Sequence, residues 1–181
     1  DLVARYAAPV PRYTSYPTAP HFHAGVSPGD YAVWLGEHDG PLSLYLHVPF
    51  CDRLCWYCGC HTKQVKRYDP LAAYLDALLL EIGLVAAALK DRRQVVAIHF
   101  GGGSPTMIAP RDLVRLREAL DRHFDITENC EISVEIDPGF VDEEKLTAWR
   151  DFGVTRASIG VQDFDEAVQK AINRPQSFEQ T

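Results

Sequence analysis

From residue 41 onward the chain alternates short apolar runs with longer segments in which apolar side chains recur every three or four positions. The short runs predict strands at Leu42–Val48, Val95–Phe100, Glu131–Ile136 and Arg156–Gly160. The longer segments predict helices starting at Asp69 and spanning Pro110–His123, Asp142–Phe152 and Asp163–Ile172. Asp69 is placed as the N-cap of the first helix and Pro70 at its first helical position, so that Leu71, Leu75, Leu78, Leu79 and Ile82 share a face that packs on the sheet. Strands alternating with helices predict an α/β fold, because parallel strands need a crossover and a helix usually supplies it. Residues 1–40 lack this rhythm. They are rich in Pro, Tyr and His around Arg12-Tyr13-Thr14-Ser15-Tyr16-Pro17-Thr18, and they predict an extended arm carrying a short helix near Tyr31 to Glu37.

Composition narrows the class. A chain of 181 residues, 46% of them hydrophobic, supports one globular core. Its formal charge of -7 argues against general affinity for nucleic acid or anionic membrane. No run is read as approaching the roughly 20 apolar residues that cross a bilayer, and no basic-then-apolar leader is seen. A soluble cytoplasmic protein is therefore expected, and the polar ending from Asn173 to Thr181 suggests part of a longer chain. Cys51, Cys55, Cys58 and Cys60 fall within ten residues, while Cys130 stands alone just before a strand as a core residue. A tight cluster points to a metal or redox site in a reducing compartment, where a disulfide scaffold would spread its cysteines.

Every distinctive polar or glycine-rich cluster follows a strand. The cysteines follow the first, Gly101-Gly102-Gly103-Ser104-Pro105-Thr106 the second, Glu135 and Asp137 end the third, and Gln162 follows the fourth. In parallel α/β architectures ligands bind at the carboxyl ends of the strands, so these clusters should converge. The C-x3-C-x2-C run lets three thiolates wrap one inorganic cluster and leaves one iron of a [4Fe–4S] cluster open to another ligand. A zinc site is the competing reading, although zinc favours paired C-x2-C halves and only one such pair is present. The glycines either admit a ligand to the backbone or make a tight turn. Glu135 and Asp137 share a face, as alternate strand residues do. His47 and His99 lie in strands and read as satisfied core groups.

The cysteine spacing resembles the radical S-adenosylmethionine superfamily. That resemblance implies that Cys51, Cys55 and Cys58 ligate a [4Fe–4S] cluster, with Tyr57 as the aromatic before the third cysteine. It also implies that S-adenosyl-L-methionine chelates the open iron, and that one electron cleaves its sulfonium to a 5′-deoxyadenosyl radical. Gly102, Gly103 and Ser104 match the motif that touches the methionine moiety, with Ser104 where Thr is commoner. Tyr45, Glu135, Gln162 and Arg174 carry over as cofactor contacts, and Asp137 is assigned to the turn with Pro138 and Gly139.

Cys58-Gly59-Cys60, the arm residues Arg12, Tyr13, Tyr16 and His21, and Asn173-Arg174 more narrowly resemble the oxygen-independent coproporphyrinogen III oxidases. Cys60 stays open between a role in that family and a small buried thiol. Membership implies a partial TIM-like (β/α) barrel, of which residues 41–181 form the first four βα units behind an N-terminal arm at 1–40, with the rest of the barrel and a helical C-terminal domain beyond. It implies oxidative decarboxylation of coproporphyrinogen III to protoporphyrinogen IX in haem biosynthesis. The further partners implied are an electron donor for the cluster and a terminal electron acceptor, with no nucleic acid or membrane, acting as a monomer. The present portion alone is expected to be inactive. A haem chaperone of the same superfamily and a zinc-binding structural module are the alternatives.

Overall fold

The computed structural model describes residues 2–7 and 18–181, so Arg12, Tyr13 and Tyr16 of the arm lie outside the described residues. Strands β1 (Leu42–Val48), β4 (Gln94–Gly102), β5 (Asp125–Ile136) and β6 (Arg156–Ile159) form a parallel sheet in the order β1-β4-β5-β6. Helices α3 (Asp69–Ala88), α4 (Pro110–His123) and α5 (Glu143–Phe152) make the successive crossovers, and α6 (Glu166–Ala171) follows the last strand. Two short strands, β2 (Phe50–Cys51) and β3 (Lys63–Gln64), pair in parallel and bracket the cysteine loop. Before β1, α1 (Leu2–Tyr6) and α2 (Pro28–Glu37) are helical, and α2 packs against α3.

The core lies between one face of the sheet and the helices. Leu46 and Val48 of β1, Ile98 and Phe100 of β4, and Ile132 and Val134 of β5 are buried there against Leu71 and Leu75 of α3, Leu116 and Leu120 of α4, and Trp149 of α5. Each such side chain removed from water contributes about 1.5–3 kcal/mol. Trp149 meets Phe100 edge-on at 4.9 Å between ring centroids, an arrangement the aromatic quadrupoles favour. Strand periodicity turns the alternate residues, Tyr45, His47, His99, Ser133 and Glu135, to the opposite, polar face.

The structure extends and amends the sequence reading in several places. β4 and β5 run longer than their apolar centres, so Gly101 and Gly102 end a strand and Cys130 lies buried within one. The helix expected near Tyr31 to Glu37 starts at Pro28, where Ser27 and Asp30 form a reciprocal capping box. The last helix starts at Glu166, because the Asp165 carboxylate accepts from the Ala167 and Val168 N–H groups and fixes the cap there. Asp69 is the first helical residue of α3, and the N-cap is Tyr68, which makes no side-chain cap bond. α3 also corrects the expectation about apolar runs: it is 20 residues long with a mean hydropathy of 1.9, enough by length and composition to cross a membrane. Its Leu71, Leu75, Leu78 and Ile82 pack on the sheet as a layer of the fold.

Candidate functional site

The cysteine loop is tied down at both ends. Its entry is held where Val65 N–H donates to Cys51 O at 3.0 Å and where Gln64 Nε2 and Lys66 Nζ donate to Asp52 O at 2.8 and 3.0 Å. Its middle is held from the far end of the chain. Trp56 N–H donates to Ile172 O at 3.0 Å, Asn173 Nδ2 to Leu54 O at 2.7 Å, and Arg174 reaches Cys55 Sγ at 3.4 Å. Cys51 and Cys55 are half-buried, and Cys58 and Cys60 are exposed. Burial pushes the Cys51 thiol up; the Ser104 and Thr62 hydroxyls oppose this, while the neighbouring Cys58 and Cys55 add to it. Burial likewise lifts the Tyr57 hydroxyl to about 12 against the opposing charge of Arg174, with Cys55 adding to the rise.

The glycine turn is stitched to the segment just before Cys51. Gly103 N–H donates to Val48 O at 2.8 Å and Ser104 N–H to Phe50 O at 2.7 Å, and a Cβ on Gly103 would collide with the Phe50 carbonyl. Gly102 has φ of 108°, a region that disfavours side chains, and a Cβ there would lie 2.6 Å from the His47 ring. In this conformation Gly102 N–H donates to Glu135 Oε2 at 3.1 Å, joining the turn to the carboxylate of β5. The tight turn also brings bare backbone to the cleft.

Arg174 closes the remaining side. Its guanidinium lies 3.2 Å from Asp137 Oδ2 and donates to Gly160 O at 2.9 Å. Burial alone would lower its pKa, but the Cys55 sulfur and the Asp137 carboxylate outweigh it and stabilise the cation. Asp137 Oδ1 also accepts from Gly139 N–H at 2.9 Å, as its assignment to the turn requires.

A cleft of about 290 Å³ brings together Cys51, Cys55, Cys58, Tyr57, Gly102, Gly103, Ser104, Glu135, Gln162 and Arg174, with Cys60 and Asp137 also on its wall. Tyr45 is the exception among the expected residues: it stands beside the cleft, its hydroxyl 3.0 Å from His47 Nδ1 and its ring stacked on His99 at 5.6 Å. His47 and His99 are satisfied by hydrogen bonds, as expected, but on the polar face of the sheet instead of in the core. His47 Nε2 reaches His61 O at 3.0 Å and so anchors the chain leaving the cysteine loop. Sequence reasoning did not foresee the contact of His99 with Glu135 or the hold of Asn173 on the loop. The first could have been suspected from period two, which puts Ser133 and Glu135 on one face beside His99; the second joins residues 119 apart.

Three loop thiols line the cleft, with the Cys60 thiol also on its wall. Among the described residues, no three His, Cys, Asp or Glu side chains converge to hold one metal ion. Tetrahedral zinc, at about 2.3 Å from each sulfur, would draw its thiolates to within about 4 Å of one another. A four-iron cluster takes each thiolate on a different iron, so three thiolates on one loop leave its fourth iron open. Beside the thiols, a guanidinium, two carboxylates and bare glycine backbone offer complementary partners to a zwitterionic amino acid group and to hydroxyls.

Residues 45–181 match the sequence model of the radical SAM superfamily. The chain is 52% identical over its whole length to an oxygen-independent coproporphyrinogen III oxidase of Bradyrhizobium diazoefficiens, and 42% identical to one of Pseudomonas aeruginosa. It spans 41% and 40% of those two proteins. The fold superposes on the solved structure of the radical SAM enzyme coproporphyrinogen III oxidase from Escherichia coli with a TM-score of 0.88 and 37% identity, covering 99% of this chain and 40% of that one.

Proposed function

The chain belongs to the radical SAM superfamily, and from that premise we propose that it forms the cofactor-binding portion of an oxygen-independent coproporphyrinogen III oxidase. The observation that carries this is the convergence of three loop thiols, the glycine turn, Glu135 and Arg174 on one cleft at the carboxyl ends of the strands. The superfamily's cofactors are a [4Fe–4S] cluster and S-adenosyl-L-methionine, which together supply reductive cleavage of a sulfonium and a carbon radical for hydrogen abstraction.

The roles proposed for this chain follow from its groups. Cys51, Cys55 and Cys58 hold the cluster, and the clasp from Ile172 to Arg174 keeps their loop in place. Arg174, fixed by Asp137, receives the carboxylate of the methionine moiety. Gly102 and Gly103 admit that moiety to the backbone, with Ser104 at the foot of the turn, while Glu135 takes hydroxyl or ammonium groups and Gln162 and Tyr57 close the rim. Tyr45 acts from outside through its stack on His99. The proposed reaction of the whole protein is oxidative decarboxylation of two propionates of coproporphyrinogen III to the vinyl groups of protoporphyrinogen IX, with an electron donor and a terminal acceptor.

The test is anaerobic reconstitution of the full-length protein with iron and sulfide, EPR of the reduced form with and without S-adenosylmethionine, and assay with coproporphyrinogen III. A [4Fe–4S] signal that the cofactor perturbs, turnover in the native protein and none in Cys51→Ser are expected. Turnover by Cys51→Ser would overturn the proposal, and so would one tightly bound zinc without sulfide, or stoichiometric haem binding without turnover.

A further inference from the structure

We propose that His99 is a positioning residue that fixes the Glu135 carboxylate in the orientation that meets the cofactor; the inference rests on the proposed reading of the cleft as an S-adenosylmethionine site. Three residues on neighbouring strands form a relay across the polar face. Ser133 Oγ lies 2.7 Å from His99 Nδ1, and His99 Nε2 lies 3.5 Å from Glu135 Oε1. The second carboxylate oxygen is taken by Gly102 N–H at 3.1 Å, so His99 and the glycine turn grip Glu135 from two sides.

The hydroxyl of Ser133 partners the imidazole nitrogen turned away from Glu135. Its nearer partner is His99 Nδ1 at 2.7 Å, and the alternative, Ile98 O, is at 3.4 Å. With the hydroxyl proton on Nδ1, the neutral ring carries its own proton on Nε2, facing Glu135, and the charged ring presents Nε2–H to the carboxylate as well. A histidine whose second nitrogen is satisfied by a neighbour presents its first in a defined tautomer and direction.

Two further features confine the ring. Tyr45 stacks on it with an interplanar angle of 16°. A Cβ on Gly101 would come to 3.0 Å from Nε2, so glycine at that position leaves the ring its place. Glu135 needs such a guide because its side chain is 45% exposed and Gly102 alone would leave one oxygen free to swing. At 3.5 Å the contact is longer than the roughly 2.7–3.2 Å of an N–H···O hydrogen bond, so in this structure the ring stands beside Oε1 as a guide, which a ligand that draws the carboxylate inward would bring into bonding range.

The experiment uses the full-length, cluster-loaded protein and the variants His99→Leu, His99→Gln and Glu135→Gln, with His99→Leu also combined with Glu135→Gln. Iron and sulfide content, S-adenosylmethionine affinity by equilibrium dialysis, and the cofactor-induced EPR change are measured for each. His99→Leu should keep the cluster but bind the cofactor about tenfold more weakly, a loss of about 1.4 kcal/mol. His99→Gln, whose amide N–H can stand near the Nε2 position, should stay within about threefold of the native affinity. The two sites should act as one, so the double variant should bind no more weakly than Glu135→Gln alone. Native affinity in His99→Leu, strictly additive effects of the two substitutions, or loss of cluster in both His99 variants would each overturn the inference. A native protein that holds its cluster but does not bind the cofactor would instead overturn the reading of the cleft on which the inference stands.

Discussion

Asn173 is the one non-glycine with a left-handed backbone among the described residues, at φ 55°, and that conformation carries its carboxamide to the Leu54 carbonyl. Asn tolerates this region better than other side chains because its short amide can bond locally. The residue therefore has two separable contributions, a backbone conformation and a bond. Asn173→Gly keeps the first and loses the second, for a cost of about 1 kcal/mol, whereas Asn173→Ala loses the bond and also strains the backbone, for about 2–3 kcal/mol. Urea unfolding of the two variants checks the order, and equal losses would show that the left-handed backbone contributes nothing. Gly102 makes the converse case: φ of 108° and the His47 ring beside it leave no room for any side chain.

At the scale of elements, the starts of α3 and α4 are joined by a polar link centred on buried Asp112. Tyr68 donates to Asp112 Oδ2 at 2.6 Å while accepting from Ala109 N–H at 2.9 Å, and Arg115 bridges Asp112 to Asp76. Burial alone would raise the Asp112 carboxyl, but the Tyr68 hydroxyl and the Arg115 guanidinium outweigh it and hold it below the usual carboxylate range. Burial and the same carboxylate lift the Tyr68 hydroxyl to about 12. Because the folded pKa of Asp112 is depressed, its stabilisation is present in full above the unfolded value near about 4 and is lost as pH falls through the folded value. The stability advantage of the native protein over Asp112→Asn, followed by urea midpoint, should thus be constant above about pH 5 and shrink below about pH 4. An advantage that does not change with acid would remove Asp112 from the acid limb.

For the molecule as a whole, stability and chemistry occupy different faces. The buried apolar cluster lies between sheet and helices, and the cysteine loop lies outside it, fixed by hydrogen bonds to β3 and to the turn after α6. Anaerobic chelation of the cluster should therefore raise amide exchange in residues 51–60 while leaving the strands and helices protected. Loss of protection throughout β4 and β5 would mean that the cluster also supports the fold. The division follows from strand periodicity: one sheet face is closed by helices, and the other presents Tyr45, His47, His99 and Glu135 next to the cleft.

The order of strands and helices, the apolar face of α3 and the gathering of cysteines, glycines and Glu135 on one side were legible in the sequence, because periodicity and position relative to strand ends are local properties. The ends of β4 and β5 were not, since cross-strand bonds extend pairing through Gly102 and back to Asp125, where composition carries no strand signal. Nor was the hold of Asn173 on Leu54 or the pairing of His99 with Glu135, which join residues 119 and 36 positions apart and exist only once the sheet has set its register. Sequence pattern alone places the cysteine loop, the glycine turn and the β5 carboxylates at one end of the sheet. Tertiary structure alone decided which of them touch, because contacts between distant residues depend on the register and packing of whole elements, and those are properties of the assembled core.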